Sequence, residues 1–207
     1  MGLKEALGDN KKFLFLAFAL LIVSVIMMLS LNSNKYSPIR PLGESKKTYT
    51  EPEQVMQEGV DYSITIKTSV GDIYVDLYES KAPKNVNSLL FLIGERYYED
   101  LTFHKVIKDF VIQAGDTEGD GSGDPGYTVT MENTKEPFSD YTLGMANASQ
   151  FFIVLPNSNK DDFNGKFSPI GRVTSGFAVV NAISKVEVSK NYKPKNDITI
   201  NSIQITE

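Results

Sequence analysis

A chain of 207 residues, 41% hydrophobic and 23% charged, has room for one ordinary domain and an additional segment. Its formal charge of −5 argues against a nucleic-acid binder, which carries a basic patch or stripe. With no Cys and a single His, the chain cannot build a disulfide scaffold, a thiolate zinc site, a Cys nucleophile, a lipid-modified N-terminal Cys or a multi-His metal centre.

In chain order, the first feature is Phe13 to Leu31, an uncharged run in which only Ser24 and Ser30 are polar. As a helix it would span about 28 Å, close to the thickness of a bilayer core. Lys4, Lys11 and Lys12 precede it, and no A-x-A-like cleavage site follows Leu31. The run therefore reads as a retained transmembrane signal anchor rather than a cleaved signal peptide. Lys35 and Arg40 lie beyond it, so the positive-inside rule favours an internal N-terminus only slightly and places the bulk of the chain outside the cytoplasm, on a single-pass membrane protein. The expected organisation is a short tail at 1–12, the anchor at 13–31, a flexible linker at 32–59 punctuated by Pro38, Pro41 and Pro52, and a folded domain at 60–207. Residues 1–31 carry three lysines against two acids, a net +1 that leaves −6 on the remainder.

Within the domain, Tyr62–Thr68 and Ile73–Leu77 alternate apolar and polar residues about a turn at Val70-Gly71-Asp72, which predicts a β-hairpin. Val86, Leu89, Leu90 and Ile93 follow helical spacing, and Pro83 suits a first turn. Leu101–Val106 and Phe110–Gly115 read as short strands. Gly126–Thr128 reads as an extended run and Gln150–Leu155 as a buried strand. Phe177, Val180 and Ile183 are spaced as a second helix. Ile198 and Ile200, then Ile203 and Ile205, form a last strand with a phase slip that implies a bulge. Strands do not alternate with helices, so the expected fold is mainly β: a closed antiparallel barrel with a helix over each open end.

Two motifs invite functional readings. Asp116-Thr117-Glu118-Gly119-Asp120-Gly121 matches the first half of a calcium loop, but no bidentate Glu stands at position 12. The same loop lacks the Gly-Lys-Ser/Thr of a phosphate cradle. It reads as a tight loop needing positive φ. His104, the sole His, is a candidate general base, but it reads better as a structural, hydrogen-bonded residue.

Five motifs taken in order change the picture: Phe103-His104-Lys105-Val106-Ile107; Phe110-Val111-Ile112-Gln113-Ala114-Gly115-Asp116; the Gly-rich stretch Gly123–Tyr127; Leu143-Gly144-Met145-Ala146-Asn147-Ala148; and Ser149-Gln150-Phe151-Phe152-Ile153. Their order and spacing closely resemble the cyclophilin family over residues 60–207. The resemblance implies an eight-stranded antiparallel barrel capped by two helices. It implies a peptidyl-prolyl cis–trans isomerase, acting without metal or organic cofactor on proline-containing polypeptides, as a monomeric domain.

The resemblance also assigns roles. Phe110, Val111, Phe152 and Phe163 would line the proline pocket. Ala146, Asn147, Gln150 and Phe167 would contact the substrate, Asn147 through its backbone. Lys105 would be the cationic donor, oriented by Gln113. The family has Arg at the position of Lys105, so reduced activity is expected; an alternative is a non-catalytic proline-peptide binding module or chaperone. Further departures are a missing Gly-Pro-rich insert between Ala148 and Ser149, Phe167 where many members have His or Tyr, and Asp162 where many carry Trp.

Overall fold

The computed structural model describes residues 48–207. The apolar run Phe13–Leu31 and most of the expected linker lie outside the described residues. Among the described residues no helix is long and apolar enough to cross a membrane.

Strands β1 (Ser63–Thr68) and β2 (Gly71–Leu77) form the expected hairpin. Ile64 and Ile66 face Val75 and Ile73 across the ladder, and all four are at most 2% exposed. The turn is tightened by Thr68, whose hydroxyl accepts from the Val70 N–H at 3.1 Å and donates to the Gly71 carbonyl at 2.6 Å. Gly71 has φ +130°, and a Cβ there would lie 2.7 Å from Val179, so this position needs glycine twice over.

Helix α1 (Pro83–Gly94) begins on its proline and has the expected apolar side, but its polar side is covered as well: every residue from Asn85 to Ile93 is buried. Its apolar side packs on the sheet, and its polar side holds other chain segments. The Asn87 carboxamide accepts from the N–H groups of Val55 and Met56 and donates to the Glu53 carbonyl. Asn85 donates to Glu132 and to the Thr130 carbonyl. The ring of Tyr49 meets Phe91 edge-on at 5.1 Å, and its N–H donates to the Pro125 carbonyl. A segment read as flexible linker is therefore bound to the domain from Tyr49 onward, because Asn87 satisfies two of its backbone N–H groups.

The remaining elements are β3 (Lys105–Ile107), β4 (Val111–Ala114), β5 (Thr142–Met145), β6 (Phe151–Val154), a single 3₁₀ turn (Lys160–Asp162), β7 (Ser168–Ser175), α2 (Phe177–Ile183) and β8 (Ile200–Thr206). They complete one antiparallel eight-stranded sheet in the order β3-β4-β6-β5-β7-β2-β1-β8. In α2, Val180 and Ile183 are buried as their spacing predicts, while Phe177 stays exposed and rests on Tyr141. The bulge expected in the last strand is present: Lys67 pairs with Ser202 and Thr68 with Ile200, so Asn201 is the extra residue.

Two expectations are corrected, and two strands come without one. The barrel is not closed by a continuous ladder: end strands β3 and β8 do not pair, and the curled sheet meets itself through a single bridge at Thr102–Thr199, flanked by hydrogen bonds from Phe103 N–H to the Ile198 carbonyl and from Ile200 N–H to the Leu101 carbonyl. The edge of β3 is covered instead by the 189–193 turn, where the Tyr192 carbonyl accepts from the Val106 N–H at 2.8 Å. Second, Gly126–Thr128 is not a strand; Tyr127 is buried there because its hydroxyl bonds Ser88 of α1 at 2.8 Å. The strands without an expectation are β5 and β7, which were not legible because Gly144, Pro169 and Gly171 interrupt their patterns.

Candidate active site

The strands β4 and β6 are buried on both faces, and alternation sorts their side chains into two cores. Ile112, Ala114, Phe151 and Ile153 point into the barrel and join the main core. Val111, Phe152 and Val154 point outward and join a second apolar cluster with Phe138 and Phe163, against which Phe110 and Phe167 pack half-buried. The doublet Phe151-Phe152 thus sends one ring inward and one outward.

Cross-strand pairs share a face and hold their Cβ atoms about 4.5–5.5 Å apart. Lys105 pairs with Gln113, and Gln113 with Phe152, which sets a cation, a carboxamide and an aromatic ring in one row across three strands on the outer face. Lys105 is partly exposed, and among the described residues no hydrogen bond or ion pair holds its ammonium. The Gln113 amide nitrogen donates to the Gln150 carbonyl oxygen at 2.9 Å. The Gln150 amide nitrogen donates in turn to the carbonyls of Gly123 at 2.8 Å and Gly121 at 3.1 Å. Gln150 is 2% exposed, so it is a strut between the row and the Gly-rich loop rather than an open contact surface.

Asn147 turns its side chain inward, where the oxygen accepts from the N–H groups of Ser149 and Gln150 at 2.9 and 2.7 Å. Asn147 and Ala146 are exposed residues at the tip of the turn, and their backbone N–H groups donate to the Gln150 backbone carbonyl at 3.5 and 2.8 Å. The aromatic cluster is tightly packed. Phe110 stacks on Phe163 at 4.9 Å, Phe163 on Phe152 at 5.5 Å, and Phe167 meets Phe152 edge-on at 5.2 Å. Val111, Phe152 and Phe163 are 2–4% exposed and form a floor, while Phe110 and Phe167 form the accessible rim.

Phe138 belongs to this cluster and was missed. It lies 5.8 Å from Phe152 with rings nearly parallel, and 5.5 Å from Phe163. It sits in the polar stretch Lys135-Glu136-Pro137-Phe138-Ser139-Asp140, where no periodicity flags it. The missing Cβ of Gly144 admits both rings: a methyl there would meet Phe152 at 2.6 Å and Phe138 at 2.7 Å.

Asp116 explains the Gly-rich loop. Its carboxylate accepts four backbone N–H groups, from Glu118, Asp120, Gly121 and Gly123, at 2.6–3.0 Å. Burial pushes this carboxyl up, but the four N–H groups outweigh burial and hold it below its ordinary value. His104 is buried, yet neither ring nitrogen has a hydrogen-bond partner, which corrects the expectation of a hydrogen-bonded structural His. Burial lowers its pKa, Asp116 and Asp120 oppose this, and Lys105 and Lys193 add to it.

Residues 63–205 match the family model described as cyclophilin type peptidyl-prolyl cis-trans isomerase/CLD. The chain belongs to the cyclophilin family. Peptidyl-prolyl cis-trans isomerase cyp15 of Rhizopus delemar is 40% identical over 157 residues, covering 69% of this chain and 24% of the relative. The chain thus spans about a quarter of the length of that relative. The mouse peptidyl-prolyl cis-trans isomerase-like 3 is 32% identical over 157 residues, and the match covers 95% of it. The crystal structure of a Cryptosporidium parvum cyclophilin type isomerase superposes with a TM-score of 0.67 at 30% identity, covering 72% of this chain and 99% of that one. The same protein was also solved in the presence of the dipeptide Ala-Pro.

Proposed function

We propose that this cyclophilin accelerates rotation about X–Pro bonds in polypeptides, using Lys105 as the donor. The observation that carries this is the row Lys105–Gln113–Phe152, in which a cation with no partner among the described residues stands beside an aromatic cluster. Amide resonance imposes a barrier of about 18–20 kcal/mol. Halfway through the rotation the prolyl nitrogen regains a lone pair. A donor aimed at that nitrogen binds the twisted state better than either planar one, so no covalent step or general base is needed.

The residues divide this work. Phe110 and Phe167 at the rim, over the floor of Val111, Phe152 and Phe163, grip the proline ring. The backbone carbonyl of Asn147, an exposed residue, holds the adjoining peptide. The amide nitrogen of Gln113 is committed to Gln150, so its carbonyl oxygen is the atom left to orient the Lys105 ammonium. An ammonium is a point charge on a flexible stem and lacks the planar fork of a guanidinium. This supports a lower rate than an Arg-bearing cyclophilin would show.

A protease-coupled assay on a proline-containing peptide with the full-length protein tests the reading. Acceleration that saturates with peptide is expected. Peptide binding without acceleration favours a binding module that has lost turnover, a reading that the Lys105 departure keeps in view.

The uncharged run Phe13–Leu31 supports a second part of the proposal: a single-pass anchor that holds the domain outside the cytoplasm, where it assists folding. Protease treatment of intact cells or spheroplasts should digest the domain. A protected domain, or full release of the protein by alkaline carbonate, rejects the anchor or its orientation.

A further inference from the structure

The aromatic cluster has a second side. A cavity of about 240 Å³ opens behind it, with the rings of Phe138, Phe167, Pro137 and Pro169 on its wall and a polar margin that includes the charged Lys135 and Glu136. None of Phe110, Val111, Gln113, Phe152 or Phe163 lines it, so it is not the mouth of the proline cleft. It adjoins the aromatic cluster through two shared rings. Phe167 touches Phe152 edge-on at 5.2 Å, Phe138 stacks on Phe152 at 5.8 Å, and both also wall the cavity. The wall is built rather than incidental, because the Asn164 side-chain oxygen accepts from the Phe138 N–H at 2.9 Å and ties the two segments together.

Size and lining restrict the occupant. Pockets for drug-sized ligands run to about 300–1,000 Å³, so this one suits a single large side chain. Two aromatic rings and two proline rings offer flat apolar faces, on which another ring stacks well. The substrate of the adjoining cleft is itself a polypeptide. Two residues of extended chain advance about 7 Å, roughly one ring beyond the proline. We propose that this cavity is a specificity subsite that takes an aromatic side chain near the isomerising proline in the same polypeptide. The inference rests on the isomerase reading of the cleft.

The test is a set of single-proline peptides with Phe or Ala placed in turn at each of the three positions on either side of the proline. Exchange rates are measured by NMR with the full-length protein. At one position the Phe peptide should show a kcat/KM about two- to tenfold above the Ala peptide, the size of one stacking contact. Asn133→Trp and Lys135→Trp each introduce a ring at the cavity edge, and each should bring that ratio to about one while Tm holds. A ratio of about one at every position in the parent protein overturns the subsite, as does a ratio that survives in both folded variants. No acceleration of any peptide would sink the isomerase reading and this inference with it, whereas acceleration without a positional preference sinks the inference alone.

Discussion

The two faces of β4 and β6 are made from alternate residues of the same short strands and have different surroundings. The inner face belongs to a large core in which Ile112 and Ile153 are fully buried and Phe151 is 1% exposed. The outer face carries a small cluster of five phenylalanines, two valines and a row ending in Lys105, a cation without a partner among the described residues. The inner core is closed by the rest of the sheet. The outer cluster is closed only by loops, at Phe138, Phe163 and Phe167, so its rim stays open. Alternation along a strand therefore separates residues of the closed core from residues of the proposed site, one position apart.

The sharpest way to break this contrast is the Phe151-Phe152 doublet. Phe151→Ala should cost about 3–5 kcal/mol of stability, read from denaturant unfolding, because it empties a closed core. Phe152→Leu should cost far less stability but lower kcat/KM about tenfold, since it removes ring contacts with Phe138, Phe163 and Phe167. Equal effects of the two on stability and rate would erase the distinction. Gly144→Ala tests the cluster from beneath. Its methyl would press on Phe152 and Phe138, costing about 1–3 kcal/mol and displacing the pocket floor, visible as a rise in KM.

Lys105→Arg sharpens the outer-face account. If a point charge is the limit, a planar fork in the same row should raise kcat/KM up to about tenfold. An unchanged rate would show that geometry at this position is not limiting. The smallest effects are in pH. The folded-state pKa of His104 lies below its ordinary 6.5, so the unfolded chain takes up the proton first. Its contribution to stability is complete above 6.5 and drains away as pH falls through the folded value. His104→Leu should flatten that part of the stability profile. Asp116 is held below its ordinary 3.8, so its contribution disappears only at still lower pH, and Asp116→Asn should remove that acid limb.

The parts of the fold legible in the sequence were those with an uninterrupted period: the β1–β2 hairpin, the apolar positions of α1, the Phe110–Gly115 and Gln150–Leu155 strands and the slip in β8. Strands β5 and β7 were hidden because Gly144, Pro169 and Gly171 serve close packing and register shifts rather than pattern. The docked segment at 49–57 was unreadable because side-chain hydrogen bonds to Asn87, not hydrophobic periodicity, hold it. Of the site, the motif residues on strands could be placed in advance. Phe138 could not, since its burial depends on a partner 14 residues away in sequence and on an absent methyl group at Gly144.

The central claim is that the cation at the end of the outer row does the chemistry and contributes little to the fold. The direct measurement is kcat/KM for a proline peptide alongside Tm in Lys105→Ala. The account predicts a fall of about tenfold or more in kcat/KM, with unfolding shifted by no more than about 0.5 kcal/mol. Undiminished turnover in a stably folded Lys105→Ala protein would contradict it.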